Sequence, residues 1–331
     1  VFMFTKDGIL LDNNYSQRIF DGEPEDQVVK EAYAKMDLDS PLAPLAALQS
    51  AGPIDFFFPV IHGNLGEDGT VQGLFRLLKK PYVGSGITAS ALSFDKDYTK
   101  RILDLAGVRN TPYVLVTPEN RDQYTWSVIQ KELGNSVYVK PAKQGSSVGI
   151  HKVSNEAEFK EALDDAFVYD YKVLVEQAIN NPREIEISIL GNEKPIASKL
   201  GGVRVPKGDE FYDYENKFVD ASGVVFDLPV ILPDKLTKEI TEMALKAYKA
   251  LDMKGLARID FLVDENDVPY LGEPNTLPGF TNISLYPQMW SVSGIDYSTL
   301  IDKLIELGIA EFKRRSKIKY SFKELGEEHV G

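Results

Sequence analysis

Residues 255–275 read Gly255-Leu-Ala-Arg258-Ile-Asp260-Phe-Leu-Val-Asp-Glu-Asn-Asp-Val-Pro-Tyr-Leu-Gly-Glu273-Pro-Asn275. Within this stretch, the run from Asp264 to Pro269 consists mainly of turn-forming residues, and apolar residues flank it on both sides. The pattern predicts a β-hairpin of two short strands. The simplest register has Asp264 opposite Pro269, and this pair fixes every other pair of facing residues.

This register brings two carboxylates, Asp260 and Glu273, to directly opposite positions, with Arg258 opposite Asn275 on the same face of the sheet. Opposed like charges destabilise a sheet unless a cation lies between them. Carboxylate and amide oxygens are hard ligands that suit Mg²⁺ when water and nucleotide phosphates complete its coordination. The hairpin therefore predicts a metal site. The alternative is an exposed acidic hairpin in which Arg258 balances the charge.

The composition is that of an ordinary globular protein, with 331 residues of which 43% are hydrophobic and 26% charged. Because cysteine is absent, the chain can form neither disulfides nor thiolate sites. The net charge of −13 argues against a nucleic-acid surface. No apolar run reaches the length of a membrane span, and the first residues lack a signal-peptide pattern, so we expect a cytoplasmic protein that does not bind membranes.

Predicted strands and helices alternate along the chain and favour a mixed α/β protein with three lobes. The expected lobes are a βα domain at 1–92, a central α+β lobe at 93–178 and a C-terminal lobe at 179–331. The first lobe should contain a strand at 54–61, a helix at 70–78 and a strand at 81–84. The other two lobes should contain helices at 93–106, 155–167, 233–251 and 297–307, and strands at 113–116, 136–140, 172–176, 184–190 and 196–200.

Two loops contain candidate functional residues, and one of them has a pattern that can bind phosphate. A predicted strand that ends at Lys140 leads into the loop Lys143-Gln-Gly145-Ser146-Ser147-Val-Gly149. Flexible backbone N–H groups and hydroxyls in such a loop can surround phosphate oxygens, although glycine-serine loops also join strands without binding anything. His62 follows the apolar run at 54–61 and lies close in sequence to Glu67, so an acidic neighbour can tune its titration. The alternative is a structural histidine.

A third segment reads Phe211-Tyr-Asp-Tyr-Glu-Asn-Lys217-Phe218. Its mixture of aromatic and charged residues shows no clean periodicity, which favours a mobile lid that covers a ligand. An ordinary surface loop that aromatic residues hold in place is the alternative.

Taken together, the motifs from about His62 to Ser284 resemble those of the D-alanine–D-alanine ligase family of ATP-grasp enzymes, in the same order. The resemblance implies an ATP-grasp fold in which two α+β lobes hold ATP between them. It implies nucleotide contacts from Lys96, Lys140, Ser147, Glu176, Glu184 and Lys217. Catalytic roles fall to His62, Ser146, Lys217, Phe218, Arg258 and Gly279. Substrate contacts fall to His62, Glu67, Phe218, Arg258 and Ser284, and the magnesium ligands are Asp260, Glu273 and Asn275.

The activity that this resemblance implies is the ATP-dependent joining of D-alanine to a second small substrate through a D-alanyl phosphate. Such a ligase supplies peptidoglycan precursors and so supports cell-wall biogenesis and cell shape. The family further implies ATP and Mg²⁺ as cofactors, with Mn²⁺ as a substitute, and a homodimer.

Phe218 is a departure from the family pattern, which usually has tyrosine after the lid lysine. The lost hydroxyl makes the subsite for the second substrate less polar, and this favours D-lactate, which arrives with a neutral hydroxyl, over the ammonium of D-alanine. Phenylalanine here resembles the subgroup that makes D-alanyl-D-lactate in intrinsically vancomycin-resistant bacteria. We therefore expect a D-alanine–D-lactate ligase, with a D-alanine–D-alanine ligase as the alternative.

A second departure concerns the start of the chain. The glycine-rich first strand turn of the family, with its glutamate, has no counterpart before His62, so we expect an N-terminal domain that is incomplete at its start. This leaves a second alternative, a nucleotide-binding remnant without ligase activity. Other ATP-grasp ligases are a third, which the His62 loop and the lid motif disfavour.

Overall fold

The computed structural model describes residues 1–204 and 225–319. Lys217, Phe218 and the predicted lid therefore lie outside the described residues. The chain divides into two compact units, Val1–Phe57 and Phe58–Gly331. The predicted lobe boundaries near residues 92 and 178 stay a prediction.

The first unit is a small helical unit. Its helices are α1 (Asn13–Phe20), α2 (Glu25–Tyr33) and α3 (Ala47–Ser50), with a 3₁₀ turn at Ala43–Leu45. Asp12 is the N-cap of α1, because its carboxylate accepts hydrogen bonds from the backbone N–H groups of Asn14 and Tyr15. Val28 and Ala32 on α2 are fully buried.

The second unit contains two antiparallel sheets and their covering helices. Its helices are α4 (Thr70–Leu77), α5 (Ile87–Phe94), α6 (Lys96–Leu105), α7 (Trp126–Leu133), α8 (Glu156–Tyr169), α9 (Asp234–Ala250), α10 (Leu285–Val292) and α11 (Tyr297–Arg315). Its strands are β1 (Tyr113–Val116), β2 (Val137–Pro141), β3 (His151–Val153), β4 (Val173–Gln177), β5 (Arg183–Gly191), β6 (Ile196–Ala197), β7 (Gly201–Arg204), β8 (Val225–Asp227), β9 (Gly255–Val263) and β10 (Pro269–Asn275). No helix within the described ranges is both long and apolar enough to cross a membrane.

The smaller sheet has the strand order β1-β4-β2-β3. Val137 and Val139 of β2 point into a core that α7 and α8 help to form. The alternation of a strand therefore turns Lys140 to the opposite face. Glu176 of β4 lies opposite Tyr138, two residues before Lys140, so the sheet places the lysine and the glutamate on the same face.

The larger sheet has the order β10-β9-β5-β7-β8, and β6 pairs with the outer part of β5. Its core face carries Ile187 and Ile259, which pack with the buried side of α9. The opposite face of β5 and β9 carries polar residues at alternate positions. Those side chains build the candidate site described below.

In the β9–β10 hairpin, the two pairs on which the predicted metal site depends are confirmed. The predicted register at the turn is wrong. Asp260 lies opposite Glu273, and Arg258 lies opposite Asn275. Near the turn, however, Pro269 faces Val263 rather than Asp264. A register shift between Leu271 and Glu273 restores the predicted pairs further along. Such a bulge adds one residue to a single strand, and glycine, here Gly272, is typical of that position.

The predicted strands at 54–61 and 81–84 are wrong for the described structure, which has only single bridging residues there, Phe57 and Tyr82. A strand forms only where a neighbouring backbone satisfies its N–H and C=O groups, and an apolar run does not reveal that partner. The predicted helix at 93–106 is divided in two, since Asp95 caps a new helix by accepting hydrogen bonds from the N–H groups of Asp97 and Tyr98.

Candidate active site

The hairpin face is organised around Arg258. Its Nε lies 2.8 Å from Oδ1 of Asp260, and a terminal nitrogen lies 2.8 Å from Oδ2 of the same carboxylate. Asn275 donates its amide N–H to that Oδ2 at 3.0 Å. The two-pronged contact fixes both the position and the plane of the guanidinium.

A second carboxylate, Glu186 on β5, approaches the same arginine. Its Oε2 lies 3.0 Å from the Nε of Arg258, and Glu186 lies opposite Asp260 across the two strands. Burial by itself would lower the pKa of Arg258, but the charges of Asp260 and Glu186 outweigh it and raise the pKa. Arg258 is therefore a permanent, fixed cation in the site.

Glu273, the second carboxylate predicted to bind the metal, pairs with Lys96 at the start of α6. The distance from the Lys96 Nζ to Oε1 of Glu273 is 3.1 Å, and the same ammonium donates to the backbone oxygen of Gln144 at 2.6 Å. The backbone N–H of Lys96 also donates to the backbone oxygen of Ala142 at 3.0 Å. Lys96 thus connects the hairpin directly to the glycine-serine loop.

The glycine-serine loop adopts a backbone that L-residues rarely adopt. Ser146 and Ser147 have φ of 53° and 61°, and Gly149 has φ of 67°. A non-glycine residue in this region costs about 1 to 3 kcal/mol, and such strain concentrates at ligand-binding sites. A Cβ on Gly149 would lie 2.6 Å from Cδ2 of Tyr169, so both space and conformation require glycine there. The loop's shape favours its predicted role in binding phosphate.

On the smaller sheet, Glu176 is the centre of a buried charged cluster. Its Oε2 accepts hydrogen bonds from the Nζ of Lys140 at 3.0 Å and from the Thr111 hydroxyl at 3.0 Å. Its Oε1 lies 3.5 Å from the Nζ of Lys100, which donates to Thr111 Oγ1 at 2.7 Å. Burial by itself would raise the pKa of Glu176, but Lys100 and Lys140 outweigh it and lower the pKa to about 2. The carboxylate therefore stays ionised at neutral pH.

The lowered pKa of Glu176 predicts a loss of stability in acid. Since the folded-state pKa lies below the ordinary value of 4.5, the stabilisation is present above about pH 4.5 and is lost as the pH falls towards 2. Urea unfolding at several pH values should show that Glu176→Gln is less stable than the original chain at pH 7. The difference in the free energy of unfolding between the two proteins should become smaller below pH 4.5. A difference that stays constant would contradict the assigned ion pairs.

The loop that follows the bridging residue Phe57 contributes Glu67. Its Oε2 accepts a hydrogen bond from the backbone N–H of Gly63 at 2.6 Å. Burial raises the pKa of Glu67 to about 7, and the negative charge of Glu273 adds to this effect, whereas Lys96 and Arg258 oppose it. The charges that act on Glu67 are those of the hairpin site, which indicates that this loop faces the same region.

The remaining predicted residues occupy the edges of this region. Burial lowers the pKa of His62, and the nearby backbone of Leu277, in the loop that follows β10, opposes this shift. In the same loop, a Cβ on Gly279 would lie 2.9 Å from the Ser284 hydroxyl. Ser284 itself accepts a hydrogen bond from the Thr281 N–H at 3.0 Å. These contacts bring His62, Gly279 and Ser284 to the end of the hairpin.

The donors on the hairpin fit magnesium in their chemistry. Within residues 1–204 and 225–319, no group of three or more His, Cys, Asp or Glu is arranged to hold a metal ion. Asp260, Glu273 and Asn275 offer two carboxylates and one amide oxygen, and Mg²⁺ typically takes one or two carboxylates together with substrate phosphates. Arg258 and Lys96 balance the two carboxylates in this structure. The set fits an ion that arrives with a nucleotide.

Two charged residues of these clusters, Glu186 and Lys100, were not predicted from the sequence. Glu186 follows the predicted Glu184 at strand spacing, so the alternation in Glu184-Ile-Glu186-Ile-Ser188 was an available signal. Lys100 lies four residues after Lys96 on one helix, but its partner Glu176 belongs to a distant strand. No local pattern reveals that contact.

The comparisons with known proteins agree with this geometry. Family models for the D-ala D-ala ligase N-terminus and C-terminus match residues 1–85 and 102–306. A D-alanine–D-alanine ligase of Limosilactobacillus fermentum is 77% identical over 331 residues, which are 100% of this chain and 88% of that protein.

Two solved structures are also similar. The D-alanine–D-alanine ligase from Coxiella burnetii has a TM-score of 0.74 and 33% identity, over 93% of this chain and 83% of that one. The D-alanine–D-alanine ligase from Bacillus anthracis complexed with ATP has a TM-score of 0.68 and 30% identity, over 81% and 84%. The expected ATP-grasp fold is thereby confirmed. With matching motifs, fold and relatives over nearly its whole length, the chain belongs to the D-alanine–D-alanine ligase family.

Proposed function

We propose that this protein is an ATP-dependent ligase that joins two molecules of D-alanine in the synthesis of peptidoglycan precursors. The observation that carries the proposal is the connection of Asp260, Glu273, Arg258 and Lys96 on one hairpin face, next to the glycine-serine loop. The relatives' names, D-alanine–D-alanine ligase, support the choice of substrate. The similarity to the Bacillus anthracis ligase, whose structure was solved with bound ATP, supports ATP as the nucleotide.

In the proposed reaction, a carboxylate oxygen of the first D-alanine attacks the γ-phosphorus of ATP, which gives D-alanyl phosphate and ADP. The deprotonated amine of the second D-alanine then attacks the acyl carbon, the C–O bond to phosphate breaks, and the nitrogen loses a proton. Lys96 and Lys140, with Lys217, would offset negative charge on the phosphates. Arg258 and the N–H of Gly279 would stabilise the tetrahedral oxyanion.

Asp260, Glu273 and Asn275 would hold Mg²⁺, or Mn²⁺ in its place, and the ion supplies charge neutralisation at the transferring phosphoryl group. The strained backbone at Ser146 and Ser147 would direct N–H groups and hydroxyls to phosphate oxygens. Glu176 and Glu184 would contact adenine and ribose, and His62, Glu67 and Ser284 the amino-acid substrates. Because ATP is the phosphoryl donor, we propose that the enzyme acts in the cytoplasm. We also propose a homodimer, on the basis of the family resemblance alone.

D-lactate as the second substrate remains a second candidate. The relatives' names do not support the preference for D-lactate or the link to vancomycin resistance that the sequence suggested. One observation still favours it, namely phenylalanine at position 218, which lies outside the described residues. The dipeptide is therefore our main proposal, and the depsipeptide is the outcome that Phe218 favours.

The test supplies ATP, Mg²⁺, D-alanine and an equal concentration of D-lactate to the purified protein between pH 6 and 9, and identifies the products by mass spectrometry. We expect D-alanyl-D-alanine as the main product at neutral pH and phosphate release that depends on D-alanine. If D-alanyl-D-lactate is the main product, the protein is instead a D-alanine–D-lactate ligase, the second candidate. No product and no phosphate release would leave a nucleotide-binding remnant.

A further inference from the structure

Glu186 is a charged residue in the interior of a sheet. It lies on β5, between Asp260 of β9 and Gly201 of β7, and it is only 9% exposed. On the β7 side the neighbouring surface is apolar, since a Cβ on Gly201 would lie 3.1 Å from Leu228 and 3.2 Å from Met289. An ionised carboxylate is costly in such a place unless a cation pairs with it. In the part of the chain that the structure describes, Glu186 forms an ion pair with Arg258.

The contacts of Arg258 divide between the two carboxylates in an unequal way. Asp260 receives both prongs of the guanidinium, through Nε and a terminal nitrogen, while Glu186 lies 3.0 Å from Nε alone. Asn275 also donates to Asp260. Every oxygen of the Asp260 carboxylate is thus already hydrogen-bonded, and the same carboxylate is the proposed ligand of a divalent cation.

These two demands on Asp260 conflict. A divalent cation on Asp260 would draw away its negative charge and repel the guanidinium, so the fork to Arg258 would weaken when the metal binds. The oxyanion role proposed for Arg258 nevertheless requires its position to stay fixed at that moment. Glu186 approaches the same Nε from the neighbouring strand β5, at 3.0 Å, while the hydrogen bond of that Nε goes to Oδ1 of Asp260. When Asp260 turns to the metal, Glu186 is in place to receive this N–H group.

We infer that Glu186 is a positioning residue that holds the guanidinium of Arg258 while Asp260 binds the divalent cation. This inference rests on the function proposed above. Glu186 acts through Arg258, which it meets at 3.0 Å. Its loss has two consequences. Arg258 becomes less well placed for the oxyanion. Asp260 then holds the arginine more firmly, so its carboxylate is less available to the metal.

The test compares Glu186→Gln and Glu186→Asp with the original chain. Glu186→Gln keeps the size and removes the charge. We expect it to lower kcat for dipeptide formation by about 10- to 100-fold, as is usual when a supporting partner is removed, with a change of less than about threefold in the KM for ATP. Mn²⁺ affinity in the presence of ADP, measured by electron paramagnetic resonance, should fall by about fivefold or more. Glu186→Asp should restore part of both quantities.

Glu311→Gln is the matched control, because Glu311 is also a buried carboxylate paired with arginines, in helix α11. It should leave kcat and Mn²⁺ affinity within about twofold of the original values. A merely structural role for Glu186 predicts equal losses in both variants, and that result would overturn the inference. So would an unchanged kcat and Mn²⁺ affinity in Glu186→Gln.

Two further outcomes keep the test decisive. If Glu186→Gln fails to melt cooperatively, Glu186→Thr, which also removes the charge and suits a strand, carries the comparison, and an unchanged kcat and Mn²⁺ affinity in that variant overturns the inference. If the original chain forms no dipeptide, the proposed function has failed. The Mn²⁺ titration with ADP still measures the competition for Asp260 in that case, so the two failures are distinguishable.

Discussion

Arg258→Lys should lower kcat for ligation by about 100- to 1000-fold, the usual loss when a group that stabilises an oxyanion is removed. Lysine keeps the positive charge that Asp260 and Glu186 require, so the chain should still fold. Its ammonium cannot reproduce the planar fork that reaches both oxygens of Asp260 at 2.8 Å. The KM for ATP should change by less than about threefold, because the arginine is expected to act on the acyl centre rather than on the nucleotide.

Arg109→Lys is the matched control for this experiment. Arg109 donates to Glu239 at 2.9 Å and to the backbone of Pro269 at 3.3 Å, near the turn of the same hairpin. Its side chain is 45% exposed. Steady-state kinetics should find no more than about a twofold change in this variant, in keeping with the small effects of surface substitutions. An Arg258→Lys enzyme with nearly full kcat would remove Arg258 from the proposed reaction.

Lys100→Met should lower the free energy of unfolding by about 3 to 5 kcal/mol, which is typical when one partner of a buried ion pair is removed. Lys100 is 3% exposed and donates to both the backbone and the hydroxyl of Thr111. Without it, the buried Glu176 loses its contact at 3.5 Å and depends on Lys140 and Thr111. Urea unfolding followed by circular dichroism measures this loss.

A double substitution separates the ion pair from the packing. Lys100→Met combined with Glu176→Gln should be less destabilised than the sum of the two single variants, since neither charge is then left alone. Lys238→Met is the control, because that lysine is 77% exposed in its side chain and pairs loosely with Glu242 at 3.8 Å. Its effect should stay within about 0.5 kcal/mol. Strict additivity in the double variant would show that Lys100 and Glu176 do not stabilise each other.

The parts of the site that could be predicted from the sequence are those that depend on local pattern. Turn residues between two apolar runs predict a hairpin, and the two-residue period of a strand then places Asp260 and Glu273 on one face. The register error at the turn came from a bulge near Gly272, which the simplest pairing leaves out. A glycine inside a strand is a signal for such a bulge, so this error was avoidable.

Other features depend on contacts between distant parts of the chain. The pairing of Lys100 with Glu176 and of Lys96 with Glu273 joins a helix to two different strands. The sequence shows that such residues can ionise, but only the fold brings them together. The predicted strand at 54–61 is wrong for the corresponding reason, because an apolar run contains no information about its backbone partner.

The most direct test of the metal site is a calorimetric titration of ADP into the protein with and without Mg²⁺. In the original chain, Mg²⁺ should strengthen ADP binding by at least about tenfold, whereas in a variant with Asp260→Asn and Glu273→Gln this gain should disappear. Equal strengthening in both proteins would contradict the assignment of these facing carboxylates to a divalent ion that binds with the nucleotide.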